Sequence, residues 1–135
     1  IQTQFDRKNN QKASGSSAEI LVVDDNKDNR FMLSVYLESK KYKVDSAKNG
    51  QDALDLLHQP NNYKLIFMDK NMPVMDGEAA IKRIRKEGNP IQIIVLSGLN
   101  SQADKDKLLK IGANHILTKP IDFKLLTPIL NNIFQ

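Results

Sequence analysis

Three short runs in the chain, Ile20-Leu21-Val22-Val23, Leu65-Ile66-Phe67-Met68 and Ile93-Ile94-Val95-Leu96, contain no polar residue at all. A continuous apolar run of this length is the pattern of a strand buried on both faces, as strands are in a parallel sheet. Between the runs lie longer stretches with helical spacing, so strands and helices alternate from Glu19 onward. The pattern predicts strands over Ile20–Asp24, Lys43–Ala47, Lys64–Asp69, Ile91–Ser97 and His115–Thr118. It predicts helices over about Lys27–Lys40, Gly50–Leu57, Glu78–Glu87 and Ala103–Ile111, with a last helix after Asp122. Repeated βα units with short connections imply an α/β fold: a doubly wound five-stranded parallel sheet, helices on both faces, right-handed crossovers.

Two helices carry irregularities. Pro128 lies inside the last apolar-periodic stretch, Phe123 to Leu130. A proline in a helix interior removes a hydrogen bond and costs roughly 3 kcal/mol, so Thr127 is expected to cap and Pro128 to open the main helix. In the first helix, residues 31, 32, 33, 35, 36 and 37 are all apolar or aromatic, more than one core face requires. Met32, Leu33, Tyr36 and Leu37 are expected to face the sheet. Phe31 and Val35, at i and i+4, then meet near the rim, where they suit a helical partner.

Residues 1–17 break the pattern. They are polar, rich in Gln, Asn, Lys and Ser, and lack hydrophobic periodicity, which predicts a flexible linker or tail before a domain at 18–135. The first residue is Ile, which points to a piece of a longer chain. The formal charge is +4, but Arg7, Lys8 and Lys12 against Asp6 supply +2 of it, leaving 4 − 2 = +2 for the rest. That is too little, and too scattered, to indicate nucleic-acid binding. No apolar stretch approaches the roughly 20 residues that span a bilayer, so the domain is expected to make no membrane contact. With no cysteine there is no disulfide framework, in keeping with a cytoplasmic setting.

The candidate chemistry stands at the strand ends. The first strand runs into Asp24-Asp25, the third into Asp69, the fourth into Ser97-Gly98 and the fifth into Lys119-Pro120. In open α/β sheets, ligands bind outside the carboxyl ends of the strands. Several carboxylates, a hydroxyl and an ammonium at one edge suit Mg²⁺, which prefers oxygen ligands, and a phosphoryl group. A carboxylate can attack phosphorus and form an aspartyl phosphate. Crowded acids repel one another, so at least one pKa is expected to rise unless a cation is bound. Asp76-Gly77 reads as a turn and helix start. His58 and His115 lack partner acids at useful spacing and read as solvated or packing residues.

In this setting the chain from Ile20 to about Phe134 resembles the receiver domain of two-component signalling, a flavodoxin-like fold. The matching residues are Asp24-Asp25-Asn26 with Asn29-Arg30, Asn49-Gly50, and Phe67-Met68-Asp69 with Met72-Pro73 and Met75-Asp76-Gly77. Ser97-Gly98, Gly112-Ala113 and Lys119-Pro120 follow in the family order. The resemblance implies that Asp69 takes a phosphoryl group from a phosphohistidine. It implies that Asp25, Asp69 and the backbone carbonyl of Asn71 ligate Mg²⁺, with Asp24 held through water and Mn²⁺ as the alternative ion. Ser97 and Lys119 would contact the phosphoryl oxygens, and Lys119–Pro120 would be cis. The implied partners are a histidine kinase or histidine phosphotransfer domain, with a homodimer left open. The acidic pair with Asn26 and the polar segment before it suggest the C-terminal receiver of a hybrid histidine kinase. A stand-alone regulator is the alternative, and the domain's own catalysis would extend only to its phosphorylation and dephosphorylation. A Mg²⁺-dependent aspartate-nucleophile phosphatase fits less well, because it wants an acid where Asn71 stands.

Two positions depart from the family pattern. Ile116 occupies the place of an aromatic residue that moves with the hydroxyl, so readout would fall to another side chain or to backbone shifts. Leu99, two residues past Ser97, cannot orient an attacking water, which predicts slow self-dephosphorylation.

Overall fold

The computed structural model describes residues 17–98 and 101–135. Residues 1–16 of the expected tail lie outside them, as does Leu99. In chain order the elements are β1 (Ile20–Val23), α1 (Lys27–Ser39), β2 (Val44–Ala47), α2 (Gly50–Leu57) and β3 (Leu65–Asp69). They continue with α3 (Gly77–Lys86), β4 (Gln92–Ser97), α4 (Gln102–Ile111), β5 (His115–Thr118) and α5 (Phe123–Ile133). The strands form one sheet in the order β2-β1-β3-β4-β5, and every pairing is parallel. The expected alternation is borne out, with ends differing by a residue where helices fray or caps intervene.

The unbroken apolar runs follow from burial on both faces. Along β1 and β3, Ile20, Val22, Leu65 and Phe67 pack into one layer with Leu33 and Leu37 of α1 and Leu126 and Leu130 of α5. Leu21, Val23, Ile66 and Met68 point the other way, onto Leu54 of α2, Ile81 and Ile84 of α3 and Leu108 of α4. The two-residue period of a strand divides each run between the layers. Each helix starts at a side-chain cap: Asn26, Asn49, Asp76, Ser101 and Asp122 each accept a backbone N–H from the first turn. Asp76 is thus the helix start that was expected. No helix among the described residues is long and apolar enough to cross a membrane.

Three local expectations are corrected. α5 does not begin at Pro128; Asp122 caps it and the helix runs through the proline. Pro128 and Lys124, whose carbonyl it leaves without an amide, are both exposed. Water can take that carbonyl, while buried Leu126 and Leu130 anchor the helix on either side. On α1, Met32 does not face the sheet: it is 61% exposed, beside Phe31 at 67% and Val35 at 47%. Leu33 and Leu37 alone are fully buried there, and Tyr36 lies between, stacked on Phe123 of α5 with ring centroids 4.2 Å apart. Finally, His58 has an acid partner after all. Its Nε2 lies 2.8 Å from Glu87 Oε1, a contact between the ends of α2 and α3 that sequence spacing hides.

Candidate functional site

The sheet register assembles the site. Val23 pairs with Met68, so Asp24 and Asp69 follow side by side. Asp69 pairs with Leu96, which places Ser97 one step further along. Ser97 pairs with Thr118 and brings Lys119 one step beyond that. The ladder continues past the strands through Lys70 N–H to Leu96 O at 2.9 Å and Lys119 N–H to Ser97 O at 2.7 Å. The order of strands reverses between β1 and β3, so the acids sit at the topological switch point where such sheets bind ligands.

Asp24, Asp25 and Asp69 each bring a carboxylate oxygen within 4.8 Å of the others. Asp24 and Asp69 are buried and Asp25 is exposed, which leaves one side of the cluster open. Lys119 Nζ donates to Asp69 Oδ1 at 2.9 Å and lies 3.6 Å from Asp24 Oδ2. The peptide between Lys119 and Pro120 is cis, as the resemblance implied. Ser97, at the end of the adjoining β4, is buried. Asn71 is exposed, and its backbone N–H donates to the Asp69 carboxylate.

Charge is out of balance here. Burial is the largest influence on Asp69 and raises its pKa, and repulsion from Asp24 adds to the effect. The hydrogen bond and charge of Lys119 and the Asn71 N–H oppose it, but the carboxyl is still pushed up to about 6. For Lys119, burial disfavours the ammonium, yet Asp69 and Asp24 more than offset this and its pKa rises. One ammonium does not neutralise two buried carboxylates with a third beside them. The donor set is all hard oxygen and short of positive charge, which fits a divalent cation such as Mg²⁺.

Sequence reasoning had named every residue in this cluster. It named Asn26 and Arg30 only as matching residues and missed that they brace the cluster. Arg30 Nη1 donates to the Asp24 backbone carbonyl at 2.7 Å, and Asn26 N–H donates to Asp24 Oδ1 at 2.9 Å. Gly77, read as a turn glycine, also has to be small: a Cβ there would sit 2.4 Å from the Asp69 carbonyl oxygen. Ile116 is half-buried against the α2–α3–α4 layer. His115 opens β5, away from the acids at the other end of the strands.

Fold and site together define a doubly wound α/β module with an acidic cluster and a lysine at its strand ends, and comparison with known proteins names the class. Residues 20–131 match the response regulator receiver domain family, and the chain belongs to it. It is 35% identical over 121 residues to hybrid signal transduction histidine kinase I of Dictyostelium discoideum, covering 84% of this chain and 7% of that protein. It is 32% identical over 118 residues to two-component response regulator 24 of Arabidopsis thaliana, covering 87% of this chain and 85% of that one. Among solved structures, one neighbour is the co-crystal of the Saccharomyces cerevisiae histidine phosphotransfer signaling protein Ypd1 with the receiver domain of the response regulator Ssk1. That chain is 34% identical, with a TM-score of 0.79, covering 87% of this chain and 88% of that one. Residues 20–131 are thus a receiver domain of two-component signalling.

Proposed function

We propose that Asp69 is the phosphoacceptor and that this domain relays a phosphoryl group from a phosphohistidine. The observation that carries the reading is Lys119 Nζ at 2.9 Å from Asp69 within a three-carboxylate cluster at the strand ends. An Asp69 carboxylate oxygen would attack phosphorus as the phosphorus–nitrogen bond breaks. The imidazole leaves with the bonding pair and departs neutral, its charge balanced by a proton already on the other ring nitrogen or taken from solvent. Lys119 and the Ser97 hydroxyl would hold phosphoryl oxygens as negative charge spreads over them. Asp24, Asp25, Asp69 and the Asn71 carbonyl would hold Mg²⁺, which when bound supplies positive charge to those same oxygens.

The partner reading rests on α1. Phe31, Met32 and Val35 form an exposed apolar strip on the helix that begins next to Asp24 and Asp25. It suits a helical, histidine-bearing partner, as the Ypd1–Ssk1 neighbour suggests by analogy. A Phe31→Ala variant is expected to slow transfer from such a partner while leaving phosphorylation by a small donor unchanged; an unaltered transfer rate would sink the docking assignment. As for its setting, the kinase relative favours the receiver of a hybrid histidine kinase. A stand-alone regulator is the second reading, favoured by the near full-length match to the Arabidopsis protein. Both go with a cytoplasmic location.

The test is intact mass after exposure to Mg²⁺ and acetyl phosphate, comparing wild type with Asp69→Asn. One added phosphoryl group, about 80 Da, that requires both Asp69 and Mg²⁺ is expected. No adduct on a folded wild-type protein overturns the assignment.

A further inference from the structure

The loop between β3 and α3 carries Asn71, whose N–H donates to Asp69, and this loop is not relaxed. Val74 has a φ of 69°, and Met75 N–H donates to Pro73 O at 2.8 Å across it, an i to i+2 turn. A β-branched residue disfavours that region of backbone space. Val74 is also 81% exposed, so its own packing does not hold the turn. Such a conformation persists only when its surroundings over-determine it.

The holding contacts come from two sides. Gly77 N–H donates to Lys70 O at 2.9 Å and closes the loop on itself. The other contact comes from a different part of the chain: Gly50 N–H, the first residue of α2, donates to Met75 O at 3.1 Å. Nothing larger than glycine fits there. A Cβ on Gly50 would lie 2.7 Å from Met75 O and 3.0 Å from both Met75 Cγ and Ala80 Cβ. The nearest obstacle is backbone, which cannot swing aside as a flexible side chain would. Gly50 is buried and follows Asn49, a buried cap that fixes the start of α2 by accepting from Asp52 N–H at 2.8 Å.

We infer that Gly50 is a positioning residue: through Met75 it latches the strained β3–α3 loop and so sets the Asn71 backbone against Asp69. It touches neither a phosphoryl group nor a metal, and it acts only through the loop. The inference rests on the reading of Asp69 and its neighbours as a Mg²⁺-assisted phosphoacceptor site, and it adds a control point in a separate helix. Residues that orient ligands from outside a metal site typically change affinity or activity by about 10- to 100-fold when altered.

The experiment is Mg²⁺ titration by calorimetry, together with the acetyl phosphate reaction at saturating Mg²⁺ followed by intact mass. It compares wild type, Gly50→Ala and Ile20→Val. Ile20 is buried at the opposite end of the sheet, in the other layer, so Ile20→Val reports what mild loss of stability does on its own. Gly50→Ala is expected to weaken Mg²⁺ binding about tenfold or more and to slow phosphorylation by a similar factor. Ile20→Val should match wild type in both. Values for Gly50→Ala within about twofold of wild type, or an equal loss in Ile20→Val, overturn the latch. A wild type that binds no Mg²⁺ overturns it too. A wild type that binds Mg²⁺ but takes up no phosphoryl group defeats the proposed function and leaves the latch to be judged on affinity.

If Gly50→Ala does not fold, amide exchange in the wild-type protein decides. Coupling between sites is reciprocal, so saturating Mg²⁺ should slow exchange of the Gly50 N–H about tenfold. The Lys40 N–H, bonded to Leu37 O at the far end of α1, should not change. Unaltered exchange at Gly50 refutes the inference.

Discussion

Replacing Asp69 by asparagine should stabilise the metal-free domain at neutral pH. In the folded protein this carboxyl has a pKa of about 6 against an ordinary 3.8, chiefly because it is buried. A raised acid pKa means the folded state resists the charged form. The penalty is therefore full above pH 6, shrinks as pH falls, and is gone below the ordinary value. That gap in pKa corresponds to roughly 3 kcal/mol at pH 7.5 and roughly 1 kcal/mol at pH 4.5. Asparagine keeps the shape without the charge. It also deprives Lys119 of its 2.9 Å partner, leaving Asp24 at 3.6 Å, which offsets part of the gain. The net effect expected is about 1–2 kcal/mol at pH 7.5, or several degrees in Tm for a domain of this size. Thermal unfolding followed by circular dichroism in EDTA at pH 7.5 and 4.5 measures it, and added Mg²⁺ should then stabilise wild type far more than the variant. The reasoning fails if the variant is no more stable at pH 7.5, or if its advantage does not shrink at pH 4.5.

Two further substitutions probe how the backbone serves the site. Gly77→Ala places a Cβ 2.4 Å from the Asp69 carbonyl and 3.0 Å from Lys70 Cα. It should destabilise the fold by roughly 2 kcal/mol or more and abolish phosphorylation, because both obstacles are main-chain atoms beside the acceptor; a urea midpoint and mass uptake equal to wild type would contradict this. Pro128→Ala restores an amide inside α5 and should raise the urea midpoint, by about 1–3 kcal/mol in stability; an unchanged midpoint would mean that the helix bends so as to avoid the proline's usual penalty.

Much of this molecule is readable from local chemistry. An unbroken apolar run followed by an acid marks a buried strand emerging at an edge, so Asp24, Asp69 and Ser97 could be assigned to one rim without coordinates. Asp76 and Asp122 mark helix starts because their side chains can satisfy backbone amides within a single turn. These signals involve residues a few positions apart. What the tertiary structure decided involves residues far apart in the chain. Register stepped Asp69, Ser97 and Lys119 past one another so that a single ammonium meets both Asp24 and Asp69. Burial, which depends on everything packed around a group, pushed the Asp69 carboxyl up to about 6. The same holds for Met32, whose apolar side chain left the core because Leu33 and Leu37 already fill the face toward the sheet. It holds for α5, whose helix persists through Pro128 because buried leucines anchor it on both sides. It holds for Gly50, whose neighbour Met75 is 25 residues (75 − 50) along the chain. Periodicity and capping are properties of a segment. Proximity, dielectric environment and steric room belong to the assembled fold, and there the chemistry of the site is decided.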